Sequence, residues 1–287
     1  MFIADAQVHI WGANTPERPW PARHQPHRAV PLGKDELLRE MDAAGVDRVI
    51  IVPPSWEGER NDLALASARA HPDRFAVMGR LDTEASGARE CIKSWRQQPG
   101  MLGLRFTFHR PNLMAPLTEG RTDWLWSEAE RAGVPIMVLV SHPMVHLIDR
   151  VAERHPALKL VMDHLGLTSG KDEEAFRDLD KLLEIARRPN VAVKASALPC
   201  FTNDVYPYRR LHPYLRRVYD DLDPGACSGA PISRGCRAPI ARASPCSRRR
   251  CRGLRPRTGP GSWAAACANG SGGDCLNAVT RRINGKA

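Results

Sequence analysis

Up to residue 219 the chain alternates seven times between a short, nearly all-apolar run and a longer amphipathic stretch. The apolar runs fall at 2–9, 48–52, 75–81, 102–106, 134–140, 159–162 and 191–194; the helical patterns fall at 34–44, 62–70, 85–97, 124–132, 144–155, 173–186 and 212–219. In the first helical stretch Leu37, Leu38, Met41 and Ala44 share one face, the 3.6-residue periodicity of a helix packed on a core. Strands that are apolar on both sides are buried between layers, so this repetition predicts a parallel sheet covered by helices. Eight such units close a (β/α)8 TIM barrel, and 287 residues suffice for one. The eighth unit is expected just past residue 220, and it is missing or corrupted: from Gly225 onward Gly, Pro, Ser, Ala, Arg and Cys dominate, with no stretch that reads as a core strand.

Charge and cysteine break at the same point. The net charge is +10, but residues 224–287 hold 12 Lys and Arg against the single acid Asp274, which leaves residues 1–223 close to neutral. Six of the eight cysteines (Cys227, Cys236, Cys246, Cys251, Cys267, Cys275) also lie in that tail, against Cys91 and Cys200 before it, and their spacing matches no zinc pattern. The chain therefore divides into an α/β barrel over 1–223 and a basic, disordered tail over 224–287. Arg248, Arg249 and Arg250 raise a nucleic-acid-binding arm as an alternative, but only Trp263 interrupts the tail with an aromatic side chain, which disfavours it. No apolar run nears the ~20 residues of a membrane span, and the chain opens on a strand containing Asp5. A cytoplasmic protein with a small-molecule partner and no membrane is expected; homo-oligomer formation stays open.

The strand ends carry the chemistry. The first run closes on Gln7 and His9, two apart and so on one face. The fourth carries Arg105, whose planar fork suits a carboxylate. The fifth ends in Ser141-His142, the sixth in Asp163-His164 followed by Leu165-Gly166, and the seventh in Lys194-Ala195-Ser196. One polar strand end is ordinary, whereas five converge on the carboxyl-terminal rim where a barrel keeps its site. Trp11 and Trp20 are candidates for the mouth, and Tyr206, Tyr208 and His212 follow the seventh strand.

His9 with Trp11, Pro19-Trp20, Gly103-Leu104-Arg105, Asp163-His164-Leu165-Gly166 and Lys194-Ala195-Ser196 together resemble the amidohydrolase-related TIM-barrel family, also called amidohydrolase 2. The resemblance spans about residues 1–223. It implies a hydrolase, a lactonase opening a small carboxylated lactone, with metal-dependent decarboxylation or a non-catalytic anion-binding barrel as alternatives. It implies catalytic roles for His9, Asp163 and His164 and metal ligation by His9 and His164. Gln7, Trp11, Arg105, His142, Lys194, Ser196 and Tyr208 become the substrate-binding candidates, with Arg105 the carboxylate anchor. One divalent zinc or manganese is implied, or none, because Gln7 stands where the family often has a second His and an amide is a poor ligand for zinc.

The family's eighth strand would end in Gly-Thr-Asp, its Asp acting on water or metal. A displaced reading frame starting at Ala226 can spell an apolar strand ending in Gly-Thr-Asp, with the Asp arising across the codons of Pro231 and Ile232. The tail is therefore expected to be read out of frame, and the chain to be impaired.

Overall fold

The computed structural model describes residues 3–22, 28, 30–109, 111–222 and 279–280. Seven strands lie in chain order in one curled parallel sheet: β1 (Ala4–Val8), β2 (Arg48–Ile51), β3 (Phe75–Gly79), β4 (Met101–Thr107), β5 (Ile136–Leu139), β6 (Leu160–Met162) and β7 (Val191–Ala195). Helices α1 (Lys34–Ala44), α2 (Asp62–Ala70), α3 (Ala88–Lys93), α4 (Pro111–Thr118), α5 (Asp123–Ala132), α6 (Val145–Arg154), α7 (Asp172–Phe176), α8 (Leu179–Ala186) and α9 (His212–Leu222) connect them. No helix among the described residues is long and apolar enough to cross a membrane.

Burial explains the arrangement. α6 buries Val145, Ile148, Val151 and Ala152, one stripe of its surface, and α8 buries Leu179, Leu182, Leu183, Ile185 and Ala186. These stripes meet the outward positions of the strands, among them Val8, Leu104, Phe106, Ile136, Val138, Leu160, Met162, Val191 and Val193, in one continuous core. The alternate positions face the barrel axis. Val52, Met78, Met137 and Val161 form a separate apolar cluster there, joined by Ile50 and Ala192. Above this plug, the next inward positions on β3, β4, β6 and β7 are polar: Arg80, Arg105, Asp163 and Lys194.

Gly103 lies tight against the residue that precedes β5: a Cβ there would lie 2.3 Å from the carbonyl oxygen of Pro135 and 2.9 Å from Met78 Cε. Because one contact is rigid backbone, Gly103→Ala is expected to cost about 1–3 kcal/mol, read as a lower urea midpoint with unchanged m-value. A midpoint equal to the parent's would show that the two strands can part freely.

The elements differ from the expected ones at three places. The pattern at 173–186 breaks into α7 and α8 at Arg177 and Asp178; that at 85–97 shortens to α3 plus a 3-10 turn, Trp95–Gln97; and α4, which carries Pro116, was not anticipated. Beyond residue 225 the structure describes one short strand. Val279–Thr280 (β8) lies antiparallel to β7, with Thr280 opposite Lys194 and Val279 opposite Ala195. It does not replace the eighth parallel strand, since it runs the wrong way and two residues span only about 7 Å. Residues 223–278 and 281–287 lie outside the described residues, and with them the expectations of a disordered tail, a basic arm and a displaced Gly-Thr-Asp.

Candidate active site

The inward positions at the carboxyl-terminal rim are Gln7 and His9 from β1, Arg105 and Thr107 from β4, Asp163 after β6, and Lys194 and Ser196 from β7 and its exit. Lys194 and Asp163 are completely buried and form an ion pair, Nζ to Oδ1, at 2.6 Å. The other carboxylate oxygen, Oδ2, accepts from Arg105 Nε at 2.9 Å. Lys194 Nζ also donates to Gln7 Oε1 at 2.7 Å, while Gln7 Nε2 lies 3.2 Å from His9 Nε2. His9 Nδ1 meets the carbonyl oxygen of Val52, so Nδ1 carries the proton and Nε2 accepts from the Gln7 amide. His164 Nδ1 lies 2.7 Å from Ser196 Oγ.

Electrostatics follow from this enclosure. Burial penalises the Asp163 carboxylate, but Lys194 and Arg105 outweigh it and hold its pKa at about 2. Burial lowers Lys194 against the pull of Asp163. Burial, with the nearby cations, takes both imidazoles down to about 3, so His9 and His164 are neutral near pH 7. Deeper along β1, burial raises Asp5 to about 6, opposed by the Gln7 N–H and by Lys194.

The backbone after β6 is bent to present these groups. His164 (φ 52°) and Leu165 (φ 54°) are both left-handed, followed by Gly166 (φ 70°), and such non-glycine conformations cost energy that the surroundings must supply. His142 contributes: its Nε2 bonds the Leu165 carbonyl oxygen at 2.8 Å. Its ring also packs on Gly166, where a Cβ would come within 2.9 Å of Cδ2.

Seven expected site residues therefore converge: Gln7, His9, Arg105, Asp163, His164, Lys194 and Ser196. Three are placed elsewhere. His142 has the outward parity of Val138 and Val140 and braces the turn from behind. Trp11 is buried against Trp56, with ring centroids 5.9 Å apart, and Trp56 in turn meets Trp20 at 5.4 Å beside an open cleft of about 390 Å³. Tyr208 packs on the outer hydrophobic layer.

One residue escaped the sequence reading. Arg80, immediately after β3, is buried and shares the inward parity of Met78. Its signal was the same as Arg105's, a guanidinium at a strand end, but it lay inside a run taken as apolar.

Among the described residues the donor set does not suit a divalent metal. Among the described residues no group of three or more His, Cys, Asp or Glu side chains could hold one. His9 Nε2 faces the Gln7 amide, and both Asp163 oxygens are engaged by cations. The Lys194 ammonium thus takes the central place between Gln7 and Asp163, where a metal would compete with it for oxygen ligands.

Comparison with known proteins agrees with this architecture. The sequence pattern of a family described as amidohydrolase matches residues 4–225. An L-fucono-1,5-lactonase of Burkholderia ambifaria is 26% identical over 234 residues, covering 76% of each chain. An amidohydrolase from Burkholderia multivorans, solved with bound zinc, superposes with a TM-score of 0.61 at 20% identity, covering 78% of this chain and 80% of that one. The 5-carboxyvanillate decarboxylase of Sphingomonas paucimobilis superposes at 0.54 with 17% identity, covering 78% and 86%.

Proposed function

Because this chain belongs to the amidohydrolase family and is thus an enzyme of hydrolase type, we propose that it is a lactonase acting on a small carboxylated lactone, impaired in this form. The observation that carries the proposal is the buried Lys194–Asp163–Arg105 chain, flanked by two neutral imidazoles at the mouth of the barrel. Attack of water on a lactone carbonyl builds an oxyanion, and fixed positive groups near it lower the barrier. Lys194 and Arg105 are such groups, locked in place by one shared carboxylate. His164, oriented by Ser196, offers a neutral ring nitrogen to the bound ester.

Water activation is the weak point. Imidazoles held at about 3 and a carboxylate held at about 2 are poor bases near pH 7. Asp5, at about 6, lies two residues deeper than Gln7 on the same face. Among the described residues none is therefore placed and tuned to take a proton from water. The resemblance assigns that task to the eighth-strand Asp, and Pro231 and Ile232 stand where the displaced frame spells it.

The test compares this chain with one rebuilt in the displaced frame, offering L-fucono-1,5-lactone and D-glucaro-1,4-lactone and following acid release. The rebuilt chain is expected to be faster by about 10²–10⁴, the usual worth of a general base. Equal rates would refute the impairment. Carbon dioxide release from an aromatic carboxylate, with no lactone opened by either chain, would replace the reading with decarboxylation. No metal requirement is proposed: a chelator should leave the Tm unchanged, and the purified chain should hold far less than one metal per molecule.

A further inference from the structure

A second cleft, of about 370 Å³, opens in the outer helical layer where α4, α5 and α6 meet. No strand-end group lines it, so it stands apart from the proposed reaction. Its floor is apolar, made by Leu117 of α4, Trp126 of α5, and Leu147 and Val151 one turn apart on α6. Trp126 has no exposed surface, yet its indole Nε1 finds no hydrogen-bond partner. The Phe108 ring, edge-on to it at 6.5 Å between centroids, brings no oxygen. The rim carries both signs of charge. Arg150 and Arg154, also one turn apart, stand beside Asp123 and Glu153. Asp123 lies 4.0 Å from Arg154, and Glu153 lies 3.7 Å from Arg188, too far for hydrogen bonds. The Arg150 guanidinium has no ion pair among the described residues.

Folded proteins seldom leave buried donors unpaired, and each such group calls for an explanation. A water at Nε1 would sit on an apolar floor with one bond, where a buried water usually makes about three. A ligand that carries an acceptor oxygen on an apolar body suits the floor. One that ends in both a carboxylate and an ammonium suits the rim. We propose that this cleft binds a free α-amino acid with a hydroxylated aromatic side chain. The hydroxyl oxygen accepts from Trp126 Nε1, and the ring packs on Leu117, Leu147 and Val151. The carboxylate meets Arg150 and Arg154, and the ammonium meets Asp123 and Glu153. A plain acid would set its charge against the two carboxylates of the rim, and a plain amine against the two guanidiniums. The space suffices, since pockets that take small molecules begin at about 300 Å³.

Binding, read without turnover, tests this. L-tyrosine is titrated against the full chain by ligand-observed NMR, beside three probes that each lack one group: L-phenylalanine, tyramine and para-hydroxyphenylpropionate. L-tyrosine should bind about threefold or more tightly than each, in line with one hydrogen bond or one exposed charge contact. Replacing both rim arginines, Arg150→Gln with Arg154→Gln, should abolish its advantage over tyramine and leave the Tm close to the parent's, because both side chains are exposed. Trp126→Phe removes the indole donor and should abolish the advantage over L-phenylalanine. If that variant fails to fold, the arginine variant decides. A probe that binds as tightly as L-tyrosine would overturn the site. So would an arginine variant that keeps the parent's preference over tyramine, since the amino acid would then be held at the barrel mouth or elsewhere.

Discussion

Asp163→Ala is expected to lower the free energy of unfolding by about 3–5 kcal/mol, the cost of stranding a buried partner charge. The carboxylate is the shared counter-ion of Lys194 and Arg105, and neither it nor Lys194 has any exposed surface. Lys194→Met should also destabilise the chain, because Asp163 would keep Arg105 but lose its nearest cation and Gln7 Oε1 would lose its donor. The double variant should cost much less than the sum, since each change removes the charge the other strands. Urea unfolding of all four chains measures this; losses that add within about 0.5 kcal/mol would mean the pair is not coupled.

Acid should weaken the fold well before the carboxylates of ordinary pKa are protonated. An unfolded histidine takes a proton below about 6.5, whereas His9 and His164 resist it down to about 3. Between these values the unfolded state binds more protons, so the stability from the neutral rings, full above 6.5, is lost as pH falls. Asp5 acts in the opposite sense: its folded pKa of about 6 exceeds the ordinary aspartate value of 3.8, so its protonation favours the folded state as pH falls through 6. Asp163 withdraws its share only below 3.8, towards 2. Two histidines against one aspartate leave a net loss approaching about 1.4 kcal/mol per pH unit between 6 and 4. Unfolding free energies at pH 7, 6 and 5 should show it, and His9→Gln should flatten the slope. A pH-independent stability over that range would mean the rings titrate in the fold.

How much of this was legible depended on whether the signal was local. Strand after strand could be read because apolar runs alternate with amphipathic helices, and the polar ends of β1, β4, β6 and β7 follow by counting inward positions. Arg80 was lost to a boundary: β3 stops at Gly79, and a run drawn two residues too long hid a guanidinium at a strand end. Trp11 and His142 were misplaced for another reason. A residue just past a strand can turn outward, and only packing shows that His142 supports a carbonyl behind the turn. That His164 and Leu165 are left-handed leaves no trace in composition, since neither is glycine or asparagine. α4 escaped because proline at its start and interior reads as a break.

The contacts of Lys194 also bear on the order in which the molecule assembles. Its ammonium reaches Gln7, 187 positions earlier, and approaches the Ala6 carbonyl oxygen at 3.4 Å. The first and seventh strands are thus fastened by a side chain. Contacts so distant in sequence carry a large loop-closure cost and are made late. On a ribosome the amino-terminal strands must wait for most of the barrel to emerge before their polar face finds its cation. Until then the β1 face keeps Asp5 and Gln7 in water, and the centre that would bind substrate arises in the closing step of folding.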